Sequence, residues 1–338
     1  MAVTIRDVAA AAEVSVATVS RIASGSDYPV GARTRAKVLA VIEAMGYRPN
    51  QSATDLSRQD TKLVGVVAPD MANQYYAEVT RGLEDVANEA GYQVLFCSTD
   101  RERGRAQAYM EVLLRRRVAA LVIVGGGREI ELTAAEAASY GAQVVMIGRS
   151  SKEFPTVQPD GTSAGVELAE HLLNLGHRTF GFLAGSRGST ATRQRQSGVT
   201  RALSKADLPA PLVERGNYTE AGGYAAAREL LSGSGRPSSL IAANDRMAIG
   251  ALAAATDLGL DVPGDVALAG FDNTPISAYV RPALTTFALR SADLGAEAMR
   301  MILDREEGDD RAYHRKVDGS IVIRQSCGSP RRPGQPMA

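Results

Sequence analysis

A serine in a glycine-framed motif is the first place in this sequence where residue types and spacing could support catalysis. Residues 161–165, G-T-S-A-G, match the G-x-S-x-G nucleophile elbow. Ser163, Asp272 and His314 also follow one another in the chain order of a hydrolase triad. Hydrolysis is therefore the first activity to consider.

The sequence around this serine argues against an elbow. A nucleophile elbow needs a strand immediately before it, and Pro155 and Pro159 are expected to break a strand there. Asp160 fits better as the N-cap of a helix that continues through residues 167–173. We therefore predict no catalytic residues and no enzymatic activity.

No motif for a metal or a nucleotide cofactor stands out. The glycines at 125–127 lack the G-x-G-x-x-G spacing because Ile130 holds the last position, and no G-K-[ST] segment occurs. The histidines and the two cysteines are not placed at metal-ligand spacings. We expect neither a cofactor nor a metal site.

Polar and aromatic residues collect instead where apolar segments end, which suits ligand binding. In doubly wound α/β sheets, ligands bind beyond the carboxyl ends of the strands. Aromatic rings can cover the C–H face of a sugar, while carboxylate, amide and guanidinium groups can bond its hydroxyls. The alternative is that some of these residues are helix caps or cleft-closing salt bridges, above all Asp160 and Asp245. The candidate effector-binding residues are Asp70, Asn73, Tyr75, Tyr76, Asp160, Arg193, Arg195, Tyr218, Asn244 and Asp272.

Apolar runs alternate with helical segments from residue 63 onward. This order is typical of buried parallel strands joined by helices. The sequence contains two such sets, so we predict an α/β core of two doubly wound parallel sheets. The predicted strands cover residues 63–68, 94–96, 119–124, 144–147, 179–184, 240–242 and 266–269, and the predicted helices 76–90, 105–116, 132–139, 219–231 and 248–258.

Three short helices precede this core. Thr4 can cap the first, with Asp7 reaching back in a capping box, and Ser15 can cap a second over residues 16–23. Only a three-residue turn separates these two helices, and a third is predicted over residues 32–45. Two short helices with a tight turn between them indicate a small all-α helix-turn-helix headpiece.

The second helix would place the side chains of its first turns in the major groove of DNA. Arg21 can pair bidentately with guanine, which is worth about 1–3 kcal/mol of discrimination, whereas Val16 and Ala17 offer apolar contacts. Thr18 and Ser20 suit phosphate or capping roles. The alternative is a helical bundle with a solvated Arg21. The candidate DNA-binding residues of this segment are Thr4, Ser15, Val16, Ala17, Thr18, Ser20 and Arg21.

Long stretches of the chain resemble the lac-repressor (LacI/GalR) family. The resemblance rests on T-I-R-D-V-A from Thr4, V-S-V-A-T-V-S-R from Val14 and G-Y-R-P-N from Gly46, and it continues to I-R-Q-S-C at Cys327. It implies a transcription regulator with a two-lobed, periplasmic-binding-protein-like core. Among the candidate effector-binding residues, it favours Asp160, Arg195, Asn244 and Asp272.

The resemblance also implies a role for the segment after the headpiece, residues 50–57. In the family this hinge folds on DNA, pairs with its dimer mate and pushes an apolar wedge into the minor groove, which adds Asn50, Ala53 and Leu56 to the DNA-binding residues. So short a helix is marginal alone, and the alternative is a flexible linker whose Leu56 packs on the core.

Two residues depart from the family pattern. Glu13 stands in the turn where the family often has glycine, and a left-handed non-glycine residue there costs about 1–2 kcal/mol. Asp55 stands in the hinge, where neutral or basic residues are usual near phosphate. We expect Asp55 to weaken DNA affinity.

Composition places the chain among globular proteins of two or three domains. It has 338 residues, of which 45% are hydrophobic and 22% charged. No segment approaches the ~20 apolar residues of a membrane span, and charged residues interrupt any signal-peptide core, so we expect a cytoplasmic protein without membrane contact. The net charge of zero does not indicate DNA binding, so that prediction depends on geometry.

These observations predict a domain scheme and a function. Residues 1–48 are expected to bind DNA, 49–61 to form the hinge, 62–327 to form the effector-binding core and 328–338 to be a disordered tail. The lobe nearer DNA would contain 62–157 and 287–323, and the distal lobe 158–286. We expect a homodimeric repressor, without a tetramer zipper, that binds a pseudo-palindromic operator under allosteric control by a sugar. The alternative hypothesis is a sugar-binding module without a transcriptional role.

Overall fold

The chain folds into two units, Met1–Thr61 and Lys62–Ala338. The computed structural model describes residues 3–23, 29–47, 61–102, 104–125, 132–149, 151–306 and 314–328. Within the described part of the first unit, three helices pack on a small core of alanine, valine and isoleucine side chains. They are α1 Ile5–Ala12, α2 Val16–Ala23 and α3 Ala32–Met45.

The second unit contains two lobes, each built on one sheet. The first sheet has the strand order β11-β5-β4-β3-β1-β2, and all its described neighbours are parallel. Its central strands are buried because helices cover both faces, as a parallel sheet requires. The first-lobe elements are β1 Leu63–Ala68, α4 Gln74–Glu89, β2 Gln93–Ser98, α5 Arg105–Arg115, β3 Ala120–Val124, α6 Ala134–Ser139, β4 Gln143–Ile147, β5 Thr156–Pro159, α11 Ser291–Glu306 and β11 His314–Val317.

The second sheet has the order β12-β10-β9-β8-β6-β7. Its strands are parallel except β12, which pairs antiparallel with β10. The second-lobe elements are α7 Gly161–Asn174, β6 Phe180–Ala184, α8 Thr190–Lys205, β7 Leu212–Arg215, α9 Glu220–Leu231, β8 Ser239–Ala242, α10 Asp245–Asp257, β9 Ala267–Phe271, a 3-10 turn Pro275–Ala278, β10 Thr285–Ala288 and β12 Ser320–Val322.

The predicted fold class is confirmed: a helical headpiece precedes an α/β core with two doubly wound sheets. The prediction of β1 matches the observed bounds at both ends. No helix among the described residues is long and apolar enough to span a membrane. The described residues also bring together no group of three or more histidine, cysteine or acidic side chains that could hold a metal ion.

The expectation that prolines prevent a strand before the serine motif is wrong. β5 occupies Thr156–Pro159 and leads directly into α7. Pro155 precedes this strand and Pro159 ends it, so neither removes a hydrogen bond from the middle of the ladder. The predicted N-cap is confirmed, because the Asp160 carboxylate accepts the Ser163 N–H at 3.0 Å.

A catalytic triad does not form despite the strand. Ser163 is exposed on α7. His314 lies on β11 of the first sheet, where its Nδ1 is 2.8 Å from Thr156 Oγ1. Asp272 follows β9 of the second sheet and lies beside Arg195. Asp272 and His314 therefore have separate partners in different sheets, and Ser163 lies exposed on α7.

The chain crosses between lobes at places that differ from the predicted boundaries. The predicted return to the first lobe at residue 287 falls inside β10. Residues 320–322, predicted in the first lobe, pair with β10 in the second sheet. Periodicity could not place these crossings, since β11 and β12 have only four and three residues.

Three helix pairs are held in backbone contact by reciprocal glycines. A Cβ built on Gly165 of α7 would lie 2.3 Å from the Arg195 carbonyl oxygen of α8, and one on Gly198 would lie 2.1 Å from the Thr162 oxygen. In the pairs α4 with α11 and α9 with α10, a glycine of each helix likewise faces a backbone carbonyl of the other. The glycines of those two pairs are Gly82 with Gly295 and Gly223 with Gly250.

The glycines of the serine motif are thus packing residues, and this gives a test. Gly165→Ala should lower the free energy of unfolding by about 1–3 kcal/mol, because the added methyl forces α7 and α8 apart. Ser163→Ala is the matched control on the same helix and should change it by less than about 0.5 kcal/mol. Urea unfolding followed by circular dichroism measures both, and equal stability of the two variants would contradict the packing role.

Candidate functional site

The helix-turn-helix is fixed by the capping interactions that the sequence predicts. Thr4 N donates to Asp7 Oδ2 at 2.8 Å and Asp7 N donates to Thr4 Oγ1 at 3.4 Å, which completes the capping box. Ser15 Oγ accepts from Thr18 N at 3.1 Å at the start of α2. Thr4 and Ser15 therefore set where the two helices begin.

The tight turn between α1 and α2 depends on Glu13. Its φ of 54° and ψ of 45° are left-handed, as expected from its position. Its carboxylate accepts a hydrogen bond from Lys37 Nζ of α3 at 2.7 Å, and this bond lowers the pKa of Glu13. The ion pair joins the turn to the third helix.

The structure divides α2 into a buried and an exposed edge. Val19 and Ile22 are buried in the helical core, and Thr18 is half-buried with its Oγ1 2.8 Å from Ser15 Oγ. The exposed edge consists of Val16, Ala17, Ser20 and Arg21. Asn50, Ala53 and Leu56 of the predicted hinge lie outside the described residues.

A cavity of about 340 Å³ lies between the two lobes of the core. Residues after β1 and β2 line it from the first lobe, and residues of α8 and those after β6, β8 and β9 line it from the second. It is therefore at the carboxyl ends of the strands, where the sequence places the effector site. Seven predicted residues line it: Asn73, Tyr75, Tyr76, Arg195, Tyr218, Asn244 and Asp272.

Three predicted residues do not line this cavity. Arg193 is exposed on the outer side of α8, two residues before Arg195. Asp160 caps α7 and lies 3.2 Å from Lys316 Nζ, and its pKa is lowered by the Ser163 N–H and by Lys316. Asp70 is engaged in an ion pair at the lobe junction.

The cavity also contains residues that the sequence interpretation missed. Arg101 follows β2, and Ser186, Arg187 and Ser189 follow β6, so the rule about strand ends applies to both loops. Gln194 lies on α8, which had not been predicted as a helix. A helix prediction over 190–205 would have placed Gln194 next to the cavity.

The polar floor of the cavity is formed by Arg195 and Asp272. Arg195 is only 5% exposed, its guanidinium lies 4.8 Å from the centre of the Phe271 ring, and Nη1 donates to the Ala243 carbonyl. Its Nη2 is 3.6 Å from Asp272 Oδ1. Burial raises the pKa of Asp272 to about 8 although Arg195 opposes this shift.

A second buried carboxyl, that of Asp245, lies near Asp272 but does not line the cavity. Asp245 is fully buried at the start of α10, and its oxygens accept hydrogen bonds from Thr286 Oγ1 at 2.5 Å and from Thr274 N at 2.8 Å. Burial raises its pKa to about 7 despite these donors. Asp245 thereby ties α10 to the loop after β9, on which Asp272 lies.

Tyrosine rings form the walls of the cavity. Tyr75 and Tyr76 meet edge to face with ring centres 5.1 Å apart, and burial raises the pKa of both hydroxyls. The Tyr218 hydroxyl lies 2.7 Å from Ser189 Oγ and 2.5 Å from Thr192 Oγ1. The three rings are held in place and can stack on a ligand.

An ion pair joins the lobes beside the cavity. Arg246 Nη1 of the second lobe donates to Asp70 Oδ2 of the first at 2.8 Å. Arg246 Nε and Nη2 also donate to both Glu220 carboxylate oxygens at 2.7 Å each. Glu220 thus positions Arg246, and we call Arg246 with Asp70 the interlobe bridge.

Comparison with known proteins agrees with this arrangement. The model described as "Bacterial regulatory proteins, lacI family" matches residues 4–50, and the periplasmic binding protein-like domain matches residues 169–327. Catabolite control protein A of Priestia megaterium is 35% identical over 327 residues, which cover 95% of this chain and 96% of that protein.

Two solved structures share the whole fold. The lac repressor dimer bound to operator and the anti-inducer ONPF has a TM-score of 0.83 and 27% identity, and the match covers 97% of this chain and 100% of that one. The complex of the transcriptional regulator CelR with cellobiose has a TM-score of 0.73 and 27% identity, over 96% and 99%.

A helix-turn-helix unit followed by a two-lobed, periplasmic-binding-protein-like core defines a DNA-binding transcription regulator with an effector-binding domain. The chain belongs to the lacI family of bacterial regulatory proteins.

The buried carboxyl of Asp245 gives a test by pH. Its pKa is raised in the fold, so its stabilising contribution is present below about pH 4 and is lost as pH rises through about 7. Asp245→Asn avoids the buried charge, so its free energy of unfolding relative to wild type should be higher at pH 8 than at pH 5 by the order of 2 kcal/mol.

Chemical denaturation at both pH values measures this difference. Asp318→Asn is the matched control, since that carboxyl is exposed in the turn between β11 and β12. The difference in free energy of unfolding between Asp318→Asn and wild type should be the same at pH 5 and pH 8. If the difference in free energy of unfolding between Asp245→Asn and wild type did not change with pH, the effect of burial on Asp245 would be contradicted.

Proposed function

We propose that the protein is a homodimeric repressor that binds a pseudo-palindromic operator and changes its DNA affinity when a sugar occupies the interlobe cavity. Residues 1–48 serve as the DNA-binding domain, 49–61 as the hinge, 62–327 as the effector-binding core and 328–338 as a tail. The observation that carries the proposal is the exposed edge of α2, which offers Arg21 and apolar side chains while its other edge is buried.

The DNA-binding role follows from what this edge can contact. Arg21 can donate two hydrogen bonds to the O6 and N7 acceptors of guanine, and Val16 and Ala17 can contact thymine methyls. One α2 makes few base contacts, so two copies on two half-sites are needed for specificity. The lac repressor structure to which the chain is similar is a dimer on its operator. Asn50, Ala53 and Leu56 complete the proposed DNA-binding set.

The effector role follows from the chemistry of the cavity. Its volume of about 340 Å³ lies within the range of about 300–1,000 Å³ for small-molecule sites. Three tyrosines offer apolar faces. Asp272 offers a carboxyl for hydroxyls, and Asn73 and Asn244, whose oxygens cap α4 and α10, offer their amide nitrogens. A sugar fits this combination, and the CelR structure with a similar fold holds cellobiose.

The two functions are coupled through the lobes. A ligand shifts a conformational equilibrium only if it binds the two states unequally. Residues of both lobes line the cavity, so a change in the distance between the lobes changes how tightly the ligand is bound. The interlobe bridge of Arg246 with Asp70 favours the closed arrangement, in which the two lobes lie together around the cavity as in this structure. The lobe that follows the hinge in sequence is the one proposed to act on the DNA-binding unit.

No enzymatic activity is part of this proposal. Asp272 and His314 have separate partners, and the family is described as one of regulatory proteins. The proposed place of action is the cytoplasm, where a bacterial operator is reached.

The DNA-binding role gives the first test of this proposal. Arg21→Ala should reduce the preference for operator over random DNA by about 1–3 kcal/mol, because the guanine contact is lost. Arg33→Ala, at an exposed position of α3, should lower affinity for both DNAs alike. Gel shifts on both duplexes measure these effects. Absence of operator binding by the wild type would reject the repressor function.

The effector site gives a second test on one helix. Arg195→Lys should weaken binding of the sugar that gives the largest thermal shift in a mono- and disaccharide panel by more than about tenfold, because it loses the donor fork. Arg193→Gln should stay within about twofold, since Arg193 lies outside the cavity. Titration calorimetry compares them, and equal losses would remove Arg195 from the site.

A further inference from the structure

The charged residues that line the cavity are mainly basic. Arg101, Arg187 and Arg195 line it, and among the described lining residues Asp272 is the one acidic partner. Burial raises the pKa of Asp272 while Arg195 opposes this shift, so this carboxyl offsets at most one of the three positive charges. The cavity wall therefore carries a positive charge that a neutral sugar does not require.

Since Arg195 leaves only Nε without an acceptor and Arg187 is exposed, Arg101 has the largest unpaired buried donor edge of this set. Its Nη1 donates to Ser186 Oγ at 3.4 Å, a long hydrogen bond. Its Nε and Nη2 are buried and have no hydrogen-bond acceptor. These two atoms form the guanidinium edge that binds a carboxylate or phosphate bidentately. An unpaired buried donor is unfavourable, so this edge favours an acceptor from elsewhere.

Asp70 does not satisfy this edge. Its Oδ2 lies 3.9 Å from Arg101 Nη2, beyond hydrogen-bond distance, whereas Arg246 Nη1 reaches the same oxygen at 2.8 Å. The other oxygen accepts from Ala72 N at 2.9 Å. The interlobe bridge thus engages Asp70, and the neighbouring Asp100 and Glu102 pair with Arg105, which leaves the Arg101 guanidinium edge to an acidic ligand.

Arg101 also joins both lobes at this point. It follows β2 of the first lobe, yet its guanidinium lies 5.6 Å from the ring centre of Tyr218 and donates to Ser186, both in the second lobe. A ligand group bound to Arg101 would therefore sit at the lobe junction. Its binding would favour the same closed arrangement as the interlobe bridge.

We propose that the effector is an acidic sugar derivative, bearing a carboxylate or a phosphate, and that Arg101 selects it by binding the acidic group. This inference rests on the proposed function and specifies its ligand class. The acidic group accepts hydrogen bonds from Nε and Nη2 of Arg101, while the sugar ring lies against the tyrosine walls.

The test uses three neutral hexoses, glucose, galactose and mannose, each with its uronate and its 6-phosphate. Thermal shift followed by calorimetry on the full chain should show at least one acidic member binding at least about tenfold more tightly than its neutral parent. The uronate and phosphate arms identify which acidic group is recognised. The same preparation is assayed for operator binding, which tests the repressor function separately.

Variants then assign the effect to Arg101. Arg101→Gln should weaken the best acidic member at least tenfold, or about 1.4 kcal/mol, and leave its neutral parent within about twofold. Arg201→Gln removes the same charge from the exposed side of α8 and should change neither. Arg101→Lys keeps the charge without the fork, so an intermediate loss is expected even if the glutamine variant is unstable.

Three outcomes would overturn the inference. They are a neutral parent that binds as tightly as its acidic derivatives, no binding by any acidic member, and equal loss of acidic and neutral ligands in the Arg101 variants. Each can occur while the wild type still binds operator, so the failure of the ligand class is distinguishable from failure of the repressor function.

Discussion

Backbone contact between paired helices is the constraint on which the core depends. In each pair, a glycine of one helix faces a carbonyl of the other, and a Cβ at any of the six glycines would lie 2.3 Å or less from that oxygen. The pairs position several cavity residues: α4 carries Tyr75 and Tyr76, and α8 carries Arg195, whose carbonyl meets Gly165. The pair of α9 and α10 carries Glu220 and Arg246 beside the cavity. The close approach of these helices therefore sets where the site residues lie.

The buried charges of the second lobe depend on this frame. Arg195, Asp272 and Asp245 are each 6% exposed or less, a condition that is unfavourable for charged groups unless they are paired. Here Asp245 accepts from two threonines, and Arg195 has Asp272 and a backbone carbonyl. The close-packed helices hold these groups together, so the floor of the cavity is largely preformed.

The sequence predicts the elements better than the faces they present. The strand over 63–68 and the caps at Thr4 and Ser15 follow from local patterns, and the structure has all of them. The sequence predicts both Arg193 and Arg195 as ligand contacts, but residues two apart on a helix differ by about 200° in direction, so only Arg195 faces the cavity. That distinction required a helix over 190–205, which weak periodicity concealed. Asp160 shows a second limit of sequence-based prediction. A carboxylate directly after a strand can either cap the next helix or bind a ligand, and sequence position alone does not distinguish the two.

The interleaved path of the chain has a consequence for synthesis of the protein on the ribosome. β5 of the first sheet pairs with β11, and the glycine face of α4 is covered by α11, although about 150 residues or more of chain separate each partner from the other. During translation, the first lobe therefore has an unpaired edge at β5 and an uncovered α4 until the second lobe and the segments after it have been synthesised. Such unfinished edges attract other nascent chains, so the late C-terminal segment protects the first lobe from aggregation as well as completing it.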